Sequence, residues 1–202
     1  MKVWMILVFF TVHVTLNGSE EVGCRGENGN LVDWFYLYKI PSSVSFNGTR
    51  SDENDPDKGL NYLFITSEST AHEWSLSNKL MNDSKSAPGH TLNQSVFGDN
   101  KNNLIILYND QPPEGTGIST RGHSKGVVIT DGNKGFWLVH SVPHFPPAFE
   151  NRAEYNYPNT GKMYGQSFLC ISLNAQQMNK VGRQLKFNEV EVYSSQVPVV
   201  LK

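Results

Sequence analysis

The chain of 202 residues lacks most features that would assign it to a specialised class of protein. It has two cysteines, 18% charged residues and no excess of basic over acidic side chains. Two cysteines exclude a disulfide-dense scaffold, and a formal net charge of −2 argues against a constitutively basic binding surface. After residue 16 no apolar run is long enough to span a bilayer, and there is no repeat or low-complexity tract.

The first 19 residues are predicted to be a secretory signal peptide. Lys2 precedes an apolar run from Val3 to Leu16, and small residues follow at Gly18 and Ser19. This run of about 14 residues is shorter than the roughly 18–20 that a membrane-spanning helix needs, and a retained anchor is the alternative. Residues 20–202 are expected to form one domain, long enough to bury a single core.

Two further patterns fit export. Asn47, Asn82 and Asn93 each begin an Asn-x-Ser/Thr triplet in a polar segment, although such triplets also arise by chance. Cys24 and Cys170 allow one intramolecular pairing, which would stabilise the fold by about 4–5 kcal/mol. The alternative is two separate buried thiols.

The histidine content predicts a charge that depends on pH. Five histidines follow the predicted signal: His72, His90, His123, His140 and His144. Because Lys2 lies within the signal, the remaining chain has 16 basic and 19 acidic residues and a formal charge of −3. Protonation of all five imidazoles would bring this to about +2, so affinity for a polyanion is expected to rise as the pH falls.

Strand-like runs dominate the rest of the chain and predict an α/β (α+β) domain with a largely buried sheet. The runs are Val32–Ile40, Leu60–Thr66, Leu104–Tyr108, Gly126–Thr130, Phe136–His140 and Ser167–Leu173. Capping boxes at Thr70–Glu73 and Asn174–Gln177 predict two helices. Their apolar stripes are Trp74, Leu76, Leu80 and Met81 in the first and Met178, Val181 and Leu185 in the second. Segments 47–59, 82–103 and 109–122 are predicted loops.

Residues 121–147, RGHSKGVVITDGNKGFWLVHSVPHFPP, hold the densest set of chemically useful side chains. Gly122–Gly126 matches the G-x-S-x-G of a serine nucleophile elbow, but that motif needs a preceding strand and a following helix, and the order here is reversed. His140 and His144 have metal-ligand spacing, but Pro143 between them prevents a regular helical face. Neither a serine hydrolase nor a metal site is expected.

A phosphate site is the remaining interpretation. On a strand, His123 and Lys125 would point to one face, about 6–7 Å apart. An imidazole beside an ammonium can hold one phosphodiester, the imidazole attacking phosphorus or donating a proton. A turn at Asp131–Gly135 would fold the next strand back and bring Ser141 and His144 to the same end of the sheet. The alternative is a surface histidine that happens to lie beside a surface lysine.

The sequence resembles the deoxyribonuclease II family. The similar blocks are VDWFYLYKIP, residues 121–147, and GQSFLCISL with the GRQL that ends the following helix, and they span about residues 22–190. The resemblance implies one half-domain of a phospholipase D-like fold, a mixed β-sheet flanked by helices. It also implies acid-favoured cleavage of DNA to 3′-phosphate ends without metal or cofactor, in the secreted or lysosomal space.

Such enzymes combine two H-x-K elements, in which one histidine attacks phosphorus and the other protonates the leaving oxygen. His123 and Lys125 correspond to the first element, and Ser141 to a small polar residue near the phosphate, with His144 as possible further support. No second H-x-K occurs in this sequence, and family members are roughly twice as long. A homodimer would supply the second set. A weakly active or inactive protein that binds DNA or a partner, and an incomplete product of a longer gene, are the alternatives.

Overall fold

The computed structural model describes residues 21–44, 57–70, 73–94, 101–117, 119–148 and 154–198. The strands are β1 (Trp34–Lys39), β2 (Tyr62–Thr66), β3 (Ser75–Leu76), β4 (Leu104–Asn109), β5 (Lys125–Thr130), β6 (Lys134–His140), β7 (Gln166–Asn174) and β8 (Val192–Gln196). The helices are α1 (Ala87–Asn93) and α2 (Ala175–Phe187). The strands form one eight-stranded sheet in the order β3-β2-β1-β7-β6-β5-β4-β8.

One face of the sheet, here called the inner face, carries the main core. Residues such as Leu37, Val127 and Leu138 are fully buried there, because alternate side chains of each strand point to the same side. Ala87 and Leu92 of α1 belong to the same buried cluster. Burial of this face is the principal source of stability for the sheet.

Helix α2 covers part of the outer face. Asn174 caps it through the predicted capping box with Gln177, and the apolar stripe includes Met178 and Val181, which pack with Val128 of β5. The helix connects β7 in the middle of the sheet to β8 at its edge. The prediction of this helix is therefore confirmed.

The predicted disulfide between Cys24 and Cys170 is present. Both residues are fully buried, and 146 residues separate them in sequence. The bridge attaches the segment before β1 to the middle of β7. The alternative of two separate thiols is excluded.

The predicted helix over residues 70–81 is wrong. Residues 71 and 72 lie outside the described part of the chain, and residues 75 and 76 form the edge strand β3. The backbone N–H groups of Ser77 and Met81 donate to the carbonyls of residues 62 and 60. This segment therefore pairs with β2 and with the residues just before β2, and does not form helical hydrogen bonds. Leu76 is 45% exposed, which removes the apolar stripe that a helix would have buried.

A short helix, α1, lies within the segment 82–103 that was predicted to be a loop. Ser86 caps it by accepting a hydrogen bond from the N–H of Gly89, and Pro88 lies in its first turn. Both residues disfavour a helix interior but are tolerated at a helix start. Burial of Leu92 in the core stabilises seven residues that propensity alone would not hold as a helix.

The prediction of an α/β (α+β) domain is confirmed, and all six predicted strands are present within two residues of their expected bounds. The resemblance implied a mixed sheet, whereas each pairing among the described residues is antiparallel. The tight turn between β5 and β6 can join only antiparallel neighbours. Helix α2 connects β7 to β8, which pairs with β4 at the edge of the sheet. Within the described ranges, no helix has the length and hydropathy needed to cross a membrane.

Candidate active site

The open end of the β5–β6 hairpin places three polar residues side by side on the inner face. Lys125, the first residue of β5, lies opposite Asn109 of β4 on one side and His140 of β6 on the other. The register is set by the turn at residues 131–133, where the Asp131 carboxylate accepts from the backbone N–H groups of residues 133 and 134 at 2.8 Å. The predicted hairpin is therefore the element that positions the site.

A single carboxylate joins the two residues of the H-x-K motif. Asp110 directly follows β4; its Oδ1 accepts from Lys125 Nζ at 2.5 Å, and its Oδ2 accepts from His123 Nδ1 at 2.8 Å. Strand β5 begins at Lys125, so His123 precedes it and is brought close to the lysine by the shared carboxylate. The predicted proximity of the two side chains is thus achieved by a residue that the sequence analysis did not consider.

The three side chains differ sharply in exposure. His123 is 86% exposed, whereas Lys125 and Asp110 are 5% and 8% exposed. A ligand can therefore reach the imidazole directly, whereas the carboxylate that contacts it and the lysine bound to that carboxylate are buried. With Nδ1–H donated to Asp110, a neutral His123 carries its lone pair on Nε2.

Two opposing effects act on the pKa of Asp110. Burial disfavours the carboxylate, but hydrogen bonds and positive charge from Lys125 and His123 outweigh that cost, so the pKa lies below its usual value. Asp110 therefore stays ionised in mildly acidic solution. An ionised carboxylate can pair with the ammonium of Lys125 and accept the Nδ1–H of His123.

His140 is a buried neutral imidazole beside this network. Its ring packs against Phe145 and Phe168, with ring centroids 5.3 and 5.6 Å away. Burial, assisted by the charge of Lys125, lowers its pKa to about 3. Nδ1 accepts from the Val142 N–H at 3.2 Å, so the proton resides on Nε2, which is buried and has no hydrogen-bond partner among the described residues.

The depressed pKa of His140 predicts a loss of stability in acid. In the unfolded chain His140 binds a proton below about pH 6.5, whereas in the folded chain it does so only below about pH 3. The stability is therefore complete above pH 6.5 and falls by about 1.4 kcal/mol per pH unit below it, or about 2 kcal/mol at pH 5. Urea unfolding from pH 7.5 to 4.5 should show this slope, and His140→Gln should reduce it by one proton. An unchanged slope in the variant would contradict the assignment.

The two predicted supporting residues are placed differently. Ser141 donates to Gln166 Oε1 at 2.5 Å and accepts from the Ser167 N–H at 3.0 Å, so the structure ties it to β7 and not to the H-x-K pair. His144 has a φ of 59°, and its Nδ1–H and backbone N–H donate to the carbonyls of residues 112 and 111 at 2.7 and 2.9 Å. His144 therefore lies against the segment that follows Asp110.

Asp110 and His140 are the site residues that sequence reasoning missed as members of one network. Asp110 fell in a predicted loop, and His140 was considered only as a metal ligand. The signal available was a polar residue at the end of each predicted strand, but the order of the strands in the sheet is needed to bring them together. Ser124 Oγ is buried and has no hydrogen-bond partner among the described residues.

Two of the three candidate glycosylation sites lie in the described part of the chain. Asn82 is exposed in a turn, Asn93 is the last residue of α1 and donates to the carbonyl of residue 84, and Asn47 lies outside the described residues. Glycosylation stays a prediction. Over the ranges that the structure describes, no cluster of three or more His, Cys, Asp or Glu side chains could hold a metal ion.

Comparison with known proteins assigns the chain to a family. The deoxyribonuclease II family model matches residues 23–202. The chain is 35% identical to cell-death-related nuclease 7 of Caenorhabditis elegans, over 98% of this chain and 49% of the relative. It is 38% identical to human deoxyribonuclease-2-beta, over 90% and 48%, and 37% identical to plancitoxin-1 of Acanthaster planci, over 92% and 50%.

The chain thus spans about half the length of the curated relatives that it matches. The match covers the disulfide, the β5–β6 hairpin and helix α2. The chain belongs to the deoxyribonuclease II family.

Proposed function

We propose that this chain is a metal-independent acid endodeoxyribonuclease whose nucleophile is His123. The observation that carries the proposal is the Asp110 carboxylate, which contacts both His123 and Lys125 and leaves the imidazole exposed. A carboxylate on one ring nitrogen orients the imidazole and stabilises the positive charge that develops during attack. The arrangement fits attack on a phosphodiester better than a coincidental surface pair.

The proposed reaction has two steps. Nε2 of His123 attacks phosphorus, a P–N bond forms, and the bond from phosphorus to the 5′-oxygen breaks. A second imidazole donates a proton to that oxygen, which leaves as a 5′-hydroxyl. Water then attacks the phosphohistidine and gives up a proton to the same second imidazole; the P–N bond breaks and leaves a 3′-phosphate end.

The buried ammonium of Lys125 has a supporting role. One of its three donors is used by Asp110, and the charge it adds beneath His123 attracts the phosphate. His140 stays neutral, so it does not add a competing cation beside the lysine. Of the five histidines after the predicted signal, His140 therefore adds no charge in mild acid. The expected gain of positive charge, which favours binding of DNA in acid, rests on the other four.

The proposed mechanism needs a second histidine. One H-x-K occurs in this chain, so a homodimer in which each copy contributes His123 and Lys125 is the proposed active form. The other candidate is a binding protein that holds DNA without turnover, favoured by the same exposed imidazole and acid-dependent charge. Binding without cleavage that weakens between pH 5 and pH 7.5 would support this second candidate.

The decisive experiment measures plasmid nicking in EDTA at pH 5. The wild-type chain should nick DNA. His123→Ala should lower the rate by about 1,000-fold or more, because removing one member of a catalytic unit commonly costs several orders of magnitude. His90→Gln, a histidine of α1 outside the network, serves as the control and should keep full activity. Equal nicking by wild type and His123→Ala would refute the nuclease proposal.

We further propose that the chain enters the secretory pathway, for release or for delivery to lysosomes. The buried disulfide supports this, because such bonds persist in oxidising compartments. Nuclease preparations should therefore come from the culture medium of a eukaryotic host. A secreted chain that still begins at Met1 would contradict the proposed signal peptide.

A further inference from the structure

We propose that a second copy of this chain docks in the groove between α2 and the β4–β8 edge of the sheet. This inference rests on the proposed function, which needs two H-x-K sets, and it names the surface that brings them together. The groove comprises two adjoining cavities of about 340 Å³ each. Ile106, Gly182 and Leu185 line both cavities.

Among the described residues the groove is open, because α2 covers only part of its own side of the sheet. Met178 and Leu185 are buried against the outer face, but Val192 and Val197 at the β8 side of the groove are 43% and 44% exposed. An apolar surface of this kind is costly to leave in water. It is shaped to accept an apolar side chain from outside the chain's own core.

Gly182 gives independent support. It lies inside α2, where glycine is the least favourable residue after proline, and a Cβ added there would meet no atom of the described residues within 4 Å. The chain's own packing therefore does not require a glycine at this position. A larger side chain would project into the groove, so glycine keeps the groove open.

The same surface adjoins the candidate active site. The Gly122 N–H donates to the carbonyl of Glu189 at 3.2 Å, and Arg121 pairs with Glu191 at 3.4 Å. These contacts join the C-terminal end of α2 to the residues immediately before His123. A partner seated in the groove would therefore lie next to the exposed imidazole.

The charges and shape of this surface favour a second copy over an unrelated partner. Arg121 and Lys186 line the groove together with Glu189, so both signs of charge are present, as a two-fold interface needs to match itself. Phe187, the last residue of α2, is 85% exposed. We assign Phe187 as the side chain that each copy inserts into the groove of the other.

Sedimentation velocity of the purified full chain at pH 5 tests the assignment. The wild type should sediment as a dimer, and Gly182→Leu should weaken dimerisation at least tenfold while thermal stability is kept or raised, because leucine favours a helix. Phe187→Ser should weaken dimerisation similarly. Met163→Ser, which alters another exposed apolar residue at 60% exposure, is the control and should leave the dimer intact.

Nicking measured on the same samples separates this inference from the proposed function. A wild-type dimer that the groove variants dissociate, but that never cleaves DNA, would uphold the groove and refute the nuclease. Monomeric variants with full activity would refute the role of the groove in catalysis. A wild-type chain that is monomeric at all protein concentrations, or a dimer that Gly182→Leu and Phe187→Ser leave intact, would overturn the docking proposal itself.

Discussion

Replacing Asp110 with asparagine is expected to lower DNA nicking by about 100-fold or more. The carboxylate accepts the Nδ1 proton of His123 at 2.8 Å and fixes which ring nitrogen carries the lone pair. Asparagine keeps the size but can offer its amide N–H to the ring, which favours the wrong tautomer. The loss should appear in the rate at saturating DNA more than in the DNA concentration needed for half-maximal rate, because orientation of the nucleophile acts in the transition state.

The same substitution should also destabilise the fold. Lys125 is 5% exposed, and Asp110 is its charged partner. Removing one member of a buried ion pair leaves an uncompensated charge, so Asp110→Asn should cost about 3 kcal/mol of unfolding free energy. Asp110→Asn combined with Lys125→Met removes both charges and should recover most of that stability.

These two readouts distinguish a positioning role from a structural one. If Asp110 only stabilises the fold, the single variant Asp110→Asn should regain activity at a temperature low enough to keep it fully folded. If Asp110 positions His123, that variant should be folded and still nearly inactive. The double variant is used for the stability measurement alone, because it also removes the charge of Lys125. Activity within threefold of wild type in a folded Asp110→Asn variant would remove the carboxylate from the mechanism.

The Asp110 network should stay intact at the mildly acidic pH proposed for activity. Burial disfavours the Asp110 carboxylate, but its interactions with Lys125 and His123 outweigh that cost and lower the pKa of Asp110. Its contribution to stability is therefore complete above about pH 4 and declines only below that. At pH 5 the network is therefore intact. The loss of stability that begins below pH 6.5 comes instead from His140, which burial keeps neutral.

The sequence predicted the elements that have a clear local pattern of apolar residues or a helix cap. Six strands were found because their apolar residues alternate or run continuously, and α2 was found because its capping box precedes a regular stripe. Strand β3 and helix α1 were missed for the opposite reason. A two-residue strand has no period, and α1 depends on burial of Leu92 and not on helix propensity.

The candidate site was predictable only in part. The H-x-K motif is contiguous, so spacing and family resemblance indicated His123 and Lys125 as candidates. Asp110 is 13 residues before His123 and reaches it because β4 and β5 are neighbours in the sheet. When strand order brings two side chains together, their separation along the sequence follows no fixed spacing, so a single sequence does not reveal the contact. Ser141 contacts Gln166 and Ser167 of β7, and its expected place near the phosphate stays a prediction.

Removing the disulfide is expected to cause the largest loss of stability. Cys24 and Cys170 close a loop of 146 residues, and the chain-entropy model assigns such a crosslink about 5 kcal/mol. The effect acts on the unfolded chain, which the bond restrains. For a domain of this size the loss corresponds to a fall in Tm of about 10–20 °C.

The reduced wild-type chain and the double variant Cys24→Ala/Cys170→Ala should both lose the stability that the crosslink contributes. The variant should lose somewhat more, because it also shortens two buried side chains. The urea dependence should steepen in both, since an uncrosslinked chain exposes more surface on unfolding. A loss below about 1 kcal/mol would show that the unfolded chain is restrained by other means.

The two stability predictions combine in acid. A domain of ordinary stability, about 5–15 kcal/mol, would lose about 5 kcal/mol with the bond and about 2 kcal/mol more at pH 5 through His140. The reduced chain should therefore unfold in mild acid at temperatures where it is still folded at pH 7.5. Circular dichroism of reduced and oxidised protein at both pH values tests this, and equal melting of the reduced chain at pH 5 and 7.5 would contradict it. Because the proposed reaction is favoured in acid, the disulfide is needed most under the conditions in which the site is expected to work.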